Sequence, residues 1–229
     1  MQYQQDRKRQ RKNPVKIRWA KTKGLPRLIG HNKGLESMKE IIRVCLEQEI
    51  RSISFFAFST ENWDRPISEV NHLIKLLKSE IINPKLLEWL NKNDVRFIWN
   101  GFTTNLPIEL VDAIKLLMIK TQSNSKMNLQ IMFNYGSQQK IVEAVNCLIL
   151  NNKPITNETL IAELDKYQLG MVDLLIRTSG EQRLSNFMLY ELSYSEIIFN
   201  KQYWPDYNRQ LFLNDLLVFS QRKRRFGKI

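Results

Sequence analysis

Short runs rich in β-branched and aromatic residues recur along this 229-residue chain, and longer stretches of helical periodicity separate them. Ile53 to Phe58, Val95 to Trp99, Leu129 to Phe133 and Val172 to Ile176 are the strong runs; Ser195 to Phe199 is a weaker one. Between them, Leu35 to Leu46 puts Leu35, Met38, Ile41, Ile42 and Cys45 on one helical face. Ile67 to Leu90 reads as one long, very apolar helical stretch containing Val70, Leu73, Ile74, Leu77, Ile81 and Ile82. Ile108 to Lys120, Ile141 to Leu150 and Leu211 to Arg222 complete the set. Parallel strands need a crossover of about a dozen residues or more, usually a helix. The alternation therefore predicts an α/β fold: a single domain with a mainly parallel central sheet flanked by helices. No repeat or linker divides it. The expected organisation is a disordered basic arm over residues 1–13, which has almost no apolar content, followed by one domain over 14–229.

Charge is concentrated at the ends. The net charge is +12, of which residues 1–23 contribute +8 and residues 222–229 contribute +5, leaving −1 for the 198 residues between. Strong duplex binding needs a basic face built into the fold, so no specific nucleic acid partner is expected. The basic ends suit solvated termini, or unspecific contact with nucleic acid or anionic lipid. Cys45 and Cys147 are too few for a disulfide scaffold, and both are expected as buried free thiols. No apolar run has the length of a membrane span, and the basic start lacks the apolar stretch of a signal peptide. These features predict a reduced cytoplasmic protein, one able to touch a membrane surface.

In parallel sheets, ligands bind outside the carboxyl ends of the strands, so motifs that directly follow a strand carry the most information. Three do. Phe58-Ser59-Thr60-Glu61-Asn62-Trp63-Asp64-Arg65-Pro66 concentrates hydroxyls, a carboxylate, an amide, an indole and a guanidinium in one turn. Helix capping by Ser59 or Thr60 and a start at Pro66 explain it equally well. In Asp173 to Asn186, a strand ends in Arg177, and a glycine turn at Gly180 brings back Arg183 and Ser185. Two guanidiniums, a hydroxyl and turn amides suit a phosphate group; a solvated basic turn is the alternative. Asn134-Tyr135-Gly136-Ser137 is a strand-to-helix turn that a tight turn with a serine cap also explains. Upstream, Arg18-Trp19-Ala20 and Arg27-Leu28-Ile29-Gly30-His31 place basic residues before a helix, a further arrangement for phosphate. The scattered histidines and cysteines form no zinc pattern, and His72 carries no functional reading.

Taken in order, these segments resemble the cis-prenyltransferases, and closely the bacterial undecaprenyl diphosphate synthases, from about Arg18 to Gly227. The likeness also rests on Gly24-Leu25-Pro26-Arg27, Glu196, Trp204-Pro205-Asp206 and Arg224-Arg225-Phe226-Gly227. It implies condensation of isopentenyl diphosphate with an allylic diphosphate, such as farnesyl diphosphate, to give a long polyprenyl diphosphate with cis double bonds. It also implies Mg²⁺ as cofactor, a homodimer, and a product serving as lipid carrier for cell-wall glycans. Two diphosphates repel one another, so arginines and a divalent cation are needed to hold them together.

By resemblance, Arg18, Trp19, Arg27 and His31 belong to the allylic diphosphate site, and Arg177, Arg183, Leu184 and Ser185 to the isopentenyl diphosphate site. Asn62 matches the asparagine that helps remove the proton, with Ser59, Thr60, Glu61, Trp63 and Arg65 around it. Glu196 matches a magnesium ligand, and Arg225-Phe226-Gly227 matches a tail that reaches the partner's site. The growing hydrocarbon needs an apolar tunnel. The stretch from Ile67 reads as one wall of it or as ordinary core, and Ala57 leaves room for a chain or simply packs in its strand.

One departure stands out. The family opens with a buried apolar strand running into Met-Asp-Gly-Asn-Gly-Arg-Trp, and here Asn13-Pro14-Val15-Lys16-Ile17-Arg18-Trp19 aligns with it. Pro14 stands where the aspartate belongs, and Val15-Lys16-Ile17 replace a glycine turn that β-branched residues reproduce poorly. Loss of such a carboxylate costs on the order of a hundred- to thousand-fold in rate. A sheet without that strand exposes the edges of its neighbours. An altered chain start, a recent loss of activity and a non-catalytic partner subunit each explain a break at one point. The family-like sequence from Arg18 onward favours the first.

Overall fold

The computed structural model describes residues 15–26 and 29–223. The arm over 1–13, Pro14, Arg27 and the Arg225-Phe226-Gly227 tail lie outside the described residues. The strands are β1 (Ser52–Ser59), β2 (Val95–Asn100), β3 (Met127–Tyr135), β4 (Leu174–Arg177) and β5 (Glu196–Phe199). The helices are α1 (Val15–Thr22), α2 (Ile29–Glu47), α3 (Ile67–Ile81), α4 (Pro84–Lys92), α5 (Ile108–Lys120), α6 (Ser137–Leu150), α7 (Asn157–Leu164) and α8 (Arg209–Ser220). Short 3₁₀ turns cover Thr60–Asp64 and Trp204–Asp206. No helix among the described residues is long and apolar enough to cross a membrane.

Every strand pairing is parallel, as the alternating pattern predicts. The strands form two groups: a three-stranded sheet in the order β1-β3-β2, and the pair β4-β5. Among the described residues, no strand pairs with the other edge of β1 or of β4. β3 is central, and all its residues but Asn128 are buried. That is the expected state of a parallel strand covered on both faces. Phe58 stacks on Phe133 with centroids 4.9 Å apart, in a core that includes Ile41, Val44, Val70, Leu90 and Ile114. A second cluster on β3 and β4 gathers Met132, Tyr135, Leu175, Phe187 and Met188, and Phe56 packs against it.

Three local expectations are corrected. The stretch Ile67 to Leu90 is two helices rather than one. Asn83 caps the second helix by accepting the Lys85 N–H at 3.1 Å, and Pro84, which has no N–H of its own, takes its first position. The helix over Asn157–Leu164 escaped the periodicity because it is short; Thr156 caps it, accepting the Thr159 N–H at 3.3 Å. Cys45 is buried, and that burial pushes its thiol up to about 12. Cys147 is only half-buried, because Ala144 and Leu148 occupy the inward positions of α6.

The inward face of α3 is taken up by the core, where Val70, Leu73 and Ile81 are packed, while Ile67 is exposed. A cavity of about 680 Å³ lies elsewhere, between β1 and β4, and none of residues 67–92 lines it; Ala57 does.

Candidate active site

The turns after β1, β3 and β4 meet at the carboxyl ends of the strands. After β1, the Thr60–Asp64 turn is held by the Ser59 N–H, which donates to Asn62 Oδ1 at 3.2 Å. Trp63 donates its indole N–H to Asn134 Oδ1 at 2.7 Å. Asn134 in turn donates to Phe102 O at 2.8 Å and Thr104 O at 2.7 Å, from a left-handed backbone with φ 57°. Asparagine tolerates that region better than most residues, which accounts for its place at this strand end.

Gly136 follows, with neighbours from both other turns. A Cβ there would stand 2.6 Å from Thr60 Oγ1 and 2.8 Å from Asn186 Nδ2. Asn186 donates to Glu61 Oε1 at 2.8 Å and accepts the Gln138 N–H at 2.8 Å. Thr60, Glu61, Asn134, Gly136 and Asn186 are thereby one connected surface drawn from three segments.

The loop after β4 carries the charge. Glu181 pairs with both Arg18 and Arg183, so α1 is joined to the β4 loop through one carboxylate. Burial alone would raise the Glu181 carboxyl, and the Arg18 hydrogen bond with the Arg183 and Arg18 charges outweighs it, holding it below the usual range. Arg177 stands beside this group. Burial pulls its guanidinium down, and repulsion from Arg183 and Arg18 adds to that, while Glu181 opposes. Three guanidiniums therefore share one carboxylate. Arg177 Nε, Arg18 Nε and Ser179 Oγ are buried and have no hydrogen-bond partner among the described residues. Ser179, Gly180, Ser185 and Asn186 all have positive φ, which folds this loop back on itself.

A third group lies at the start of α3. Glu69 is buried and accepts from Arg65 Nη1 at 3.0 Å, with His31 Nε2 at 3.7 Å. Burial would raise the Glu69 carboxyl, and the neighbouring His31 ring and the Arg65 guanidinium outweigh it, so it is held low. His31 is thus a buried partner of Glu69, and its ring is 6.0 Å from that of His72.

The residues singled out in the sequence are brought together unequally. Arg18, Arg177 and Arg183 converge, although the Arg183 side chain is 62% exposed. Trp19 is buried, and its indole Nε1 has no partner among the described residues. Ser59, Thr60, Glu61, Asn62, Trp63 and Arg65 all belong to the turn after β1 and the residue that closes it. Leu184 is half-buried and Ser185 exposed, both in the β4 loop. Glu196 does not join them. It opens β5 opposite Leu174, three residues before Arg177 along the paired strand, or about 10 Å at the usual rise per residue. Its Oε2 accepts from Arg222 Nη1 at 2.7 Å.

Sequence reasoning passed over Glu181, Glu69 and Asn134 as site residues. Glu181 and Asn134 lie inside motifs already singled out, but nothing local marks their partners.

A sequence profile described as "Putative undecaprenyl diphosphate synthase" matches residues 16–227. The chain belongs to the undecaprenyl diphosphate synthase family of prenyltransferases. Within this family it is 40% identical over 219 residues to an isoprenyl transferase of Agrobacterium fabrum, covering 93% of this chain and 88% of the relative. It is 41% identical over 223 residues to a ditrans,polycis-undecaprenyl-diphosphate synthase ((2E,6E)-farnesyl-diphosphate specific) of Legionella pneumophila, covering 93% and 91%. Among solved structures, a probable undecaprenyl diphosphate synthase from Campylobacter jejuni superposes with a TM-score of 0.78 at 32% identity, covering 86% of this chain and 93% of that one. The lavandulyl diphosphate synthase of Lavandula x intermedia, in complex with dimethylallyl diphosphate, gives 0.85 at 29% identity, covering 92% and 93%.

Proposed function

We propose that this chain is a cis-prenyltransferase. Isopentenyl diphosphate adds through its terminal alkene carbon to C1 of an allylic diphosphate, pyrophosphate leaves C1, and a proton leaves the isopentenyl unit as the new cis double bond forms. Repetition gives a long polyprenyl diphosphate. The observation that carries this reading is the guanidinium group at the end of β4. Arg18, Arg177 and Arg183 outnumber Glu181, and Arg18 Nε, Arg177 Nε and Ser179 Oγ are buried donors with no acceptor among the described residues. Each such donor costs about 1–3 kcal/mol, and a diphosphate supplies the missing oxygens. The relatives support an allylic diphosphate, since one is named for farnesyl diphosphate and another is in complex with dimethylallyl diphosphate.

In this reading Arg177 and Ser179 hold diphosphate oxygens, and Arg18 and Arg183 exchange their contact with Glu181 for the substrate. An amide is not a base, and Asn62 Oδ1 already accepts from the Ser59 N–H, so Asn62 orients the isopentenyl unit through the rest of its amide. Magnesium supplies charge neutralisation for diphosphates. The described residues do not fit a resident ion: no three His, Cys, Asp or Glu side chains among them stand together, and Glu196 is engaged by Arg222. We therefore assign Mg²⁺ to the incoming diphosphates and route no step through a protein-held metal. A homodimer, contact of the hydrophobic product with a membrane surface, a cytoplasmic location and use of the product in cell-wall synthesis belong to the same proposal.

A second reading is a homologue of impaired turnover that still binds isoprenoid diphosphates or supports an active partner. It is favoured by α1, in which Val15, Lys16 and Ile17 are helical where the resemblance calls for a glycine turn. One experiment separates the two. Purified protein is incubated with farnesyl diphosphate, labelled isopentenyl diphosphate and Mg²⁺, and butanol-extractable products are resolved by length. A long-chain product supports the transferase. No product, with diphosphate binding retained in calorimetry, supports the second reading, and loss of both overturns each.

A further inference from the structure

The turn that follows β4 hangs from the residues just after β5. The Asn200 N–H donates to Arg177 O at 2.8 Å, the Gly180 N–H donates to Asn200 O at 2.9 Å, and the Ser179 N–H donates to Gln202 O at 2.7 Å. Gln202 is tied to Asn200 in turn, donating its N–H to Asn200 Oδ1 at 2.9 Å. Ser179 and Gly180 both have left-handed backbones, with φ of 74° and 66°. Serine rarely adopts that region, so the turn depends on bonds from outside it. Asn200 is itself fixed from α8. Its Nδ2 donates to Asp215 Oδ2 at 2.9 Å and to Oδ1 at 3.2 Å, and Tyr207 OH donates to the same Oδ2 at 2.7 Å.

We propose that Asp215 is a positioning residue for the diphosphate clamp: acting through Asn200, it fixes the course of Arg177 to Gly180 and so the aim of the Arg177 and Ser179 donors. The inference rests on the assignment of a diphosphate to those donors. Three observations carry it. First, the buried residues of α8 are Phe212 and Asp215, so a carboxylate occupies a position where an apolar side chain would pack without losing hydration. Its bonds to Asn200 and Tyr207 offset that cost, and of the two Asn200 leads to the clamp, while Tyr207 stacks on Trp204. Second, the path is short and unbroken. It runs from Asp215 to the Asn200 side chain, and from the Asn200 main chain to Arg177 O and the Gly180 N–H. Third, Ser179 Oγ and Arg177 Nε have no partner among the described residues, so the main chain sets where they stand before a ligand arrives. A misplacement of about 1 Å is enough to weaken such a contact severely. The same helix also secures the opposite end of β5. Arg222, just past α8, donates to Glu196 Oε2 at 2.7 Å and to Ile197 O at 3.1 Å.

The test measures isopentenyl diphosphate binding to the full chain by titration calorimetry, well below the unfolding midpoint of each variant. Asp215→Ala and Asn200→Ala are each expected to weaken binding about tenfold, and the double variant no more than either alone. Asp215→Asn keeps an oxygen that can accept from both Asn200 Nδ2 and Tyr207 OH, and is expected to stay within about threefold of the unaltered chain. Tyr207→Phe removes a buried hydrogen bond from the same carboxylate but spares Asn200. It is expected to lower the unfolding midpoint and to leave affinity within about twofold. Hydrogen exchange at the Ser179 and Gly180 amides is expected to quicken in Asp215→Ala and not in Tyr207→Phe. Asn200→Ala, at a half-buried position, carries the comparison if Asp215→Ala does not fold. Equal losses of affinity in Tyr207→Phe and Asp215→Ala would reduce the carboxylate to a structural role, and full affinity in Asn200→Ala would break the path. Either result overturns the brace. Arg177→Ala separates the brace from the clamp on which it rests. Lost binding there, with affinity kept in Asp215→Ala and Asn200→Ala, overturns the brace alone. Unchanged binding in Arg177→Ala overturns the clamp, and the brace with it.

Discussion

Trp63 donates its indole N–H to Asn134 Oδ1 at 2.7 Å, and this bond fastens the turn after β1 to the turn after β3. The same asparagine donates to Phe102 O and Thr104 O, so one buried side chain organises three segments of the candidate site. The left-handed φ of 57° adds a backbone requirement to the side-chain one.

Asn134→Ala is expected to lower stability by about 2–4 kcal/mol, because it leaves a half-buried indole N–H and two carbonyls short of a partner. Asn134→Gly loses the same bonds but accepts the positive φ, so it is expected to be about 1 kcal/mol less damaging. Urea unfolding of the two variants checks the order, and an alanine variant at least as stable as the glycine variant would contradict it.

Arg177 and Arg183 should contribute unequally to diphosphate binding. Arg177 has a buried Nε with no partner among the described residues, whereas the Arg183 side chain is 62% exposed and already paired with Glu181. Arg177→Ala is expected to weaken isopentenyl diphosphate binding by about 1.5–3 kcal/mol, the scale of a hydrogen bond to a charged group. Arg183→Ala is expected to cost less than about 1 kcal/mol, as solvent-screened charges do. Titration calorimetry at fixed salt measures both, and unchanged affinity in the two variants would remove the clamp.

The pH dependence of stability should carry the signature of Glu69. Arg65 and His31 hold its carboxyl below the ordinary range, against the opposing effect of burial. The unfolded chain then binds more protons than the folded one in the window between the two pKa values. This contribution is present above the unfolded value of about 4.3 and is lost as pH falls through the folded value. Glu69→Gln is expected to be about 1.5–3 kcal/mol less stable near neutrality and to lose stability less steeply in acid. Denaturant midpoints from about pH 3 to 7 test this, and parallel curves for the two proteins would refute it.

Gly136→Ala tests the crowding at the end of β3. Its Cβ would lie 2.3 Å from Gln139 Oε1, 2.6 Å from Thr60 Oγ1 and 2.8 Å from Asn186 Nδ2. Gln139 can swing away, but Thr60 is short and Asn186 is held by Glu61 and the Gln138 N–H. A loss of about 1–3 kcal/mol is expected, as for other overpacked sites. An unaltered melting midpoint would show that the three turns are more loosely joined than their contacts suggest.

Much of the fold was legible along the chain. Strand and helix periods depend on side chains two, three or four positions apart, so β1 to β5 and most helices emerge from local pattern alone. The exceptions are local too. The break at Asn83-Pro84 lies within a continuous apolar pattern, and α1 and α7, eight residues each, have too few turns for a period to stand out. The three strand-end turns were likewise visible, because their unusual residue content is contiguous.

Tertiary structure alone decided who meets whom. Arg18 and Glu181 are 163 positions apart, and nothing near either marks the other as its partner. His31, Arg65 and Glu69 form a buried cluster only because α2 and the start of α3 are brought together. Glu196 carries the residue type of a metal ligand, yet the register of β5 against β4 sets it three positions before Arg177 along that paired strand. Periodicity is a property of neighbours in the chain. Ion pairs, strand pairings and the cavity between β1 and β4 depend on distances in space and are fixed only when the chain is packed.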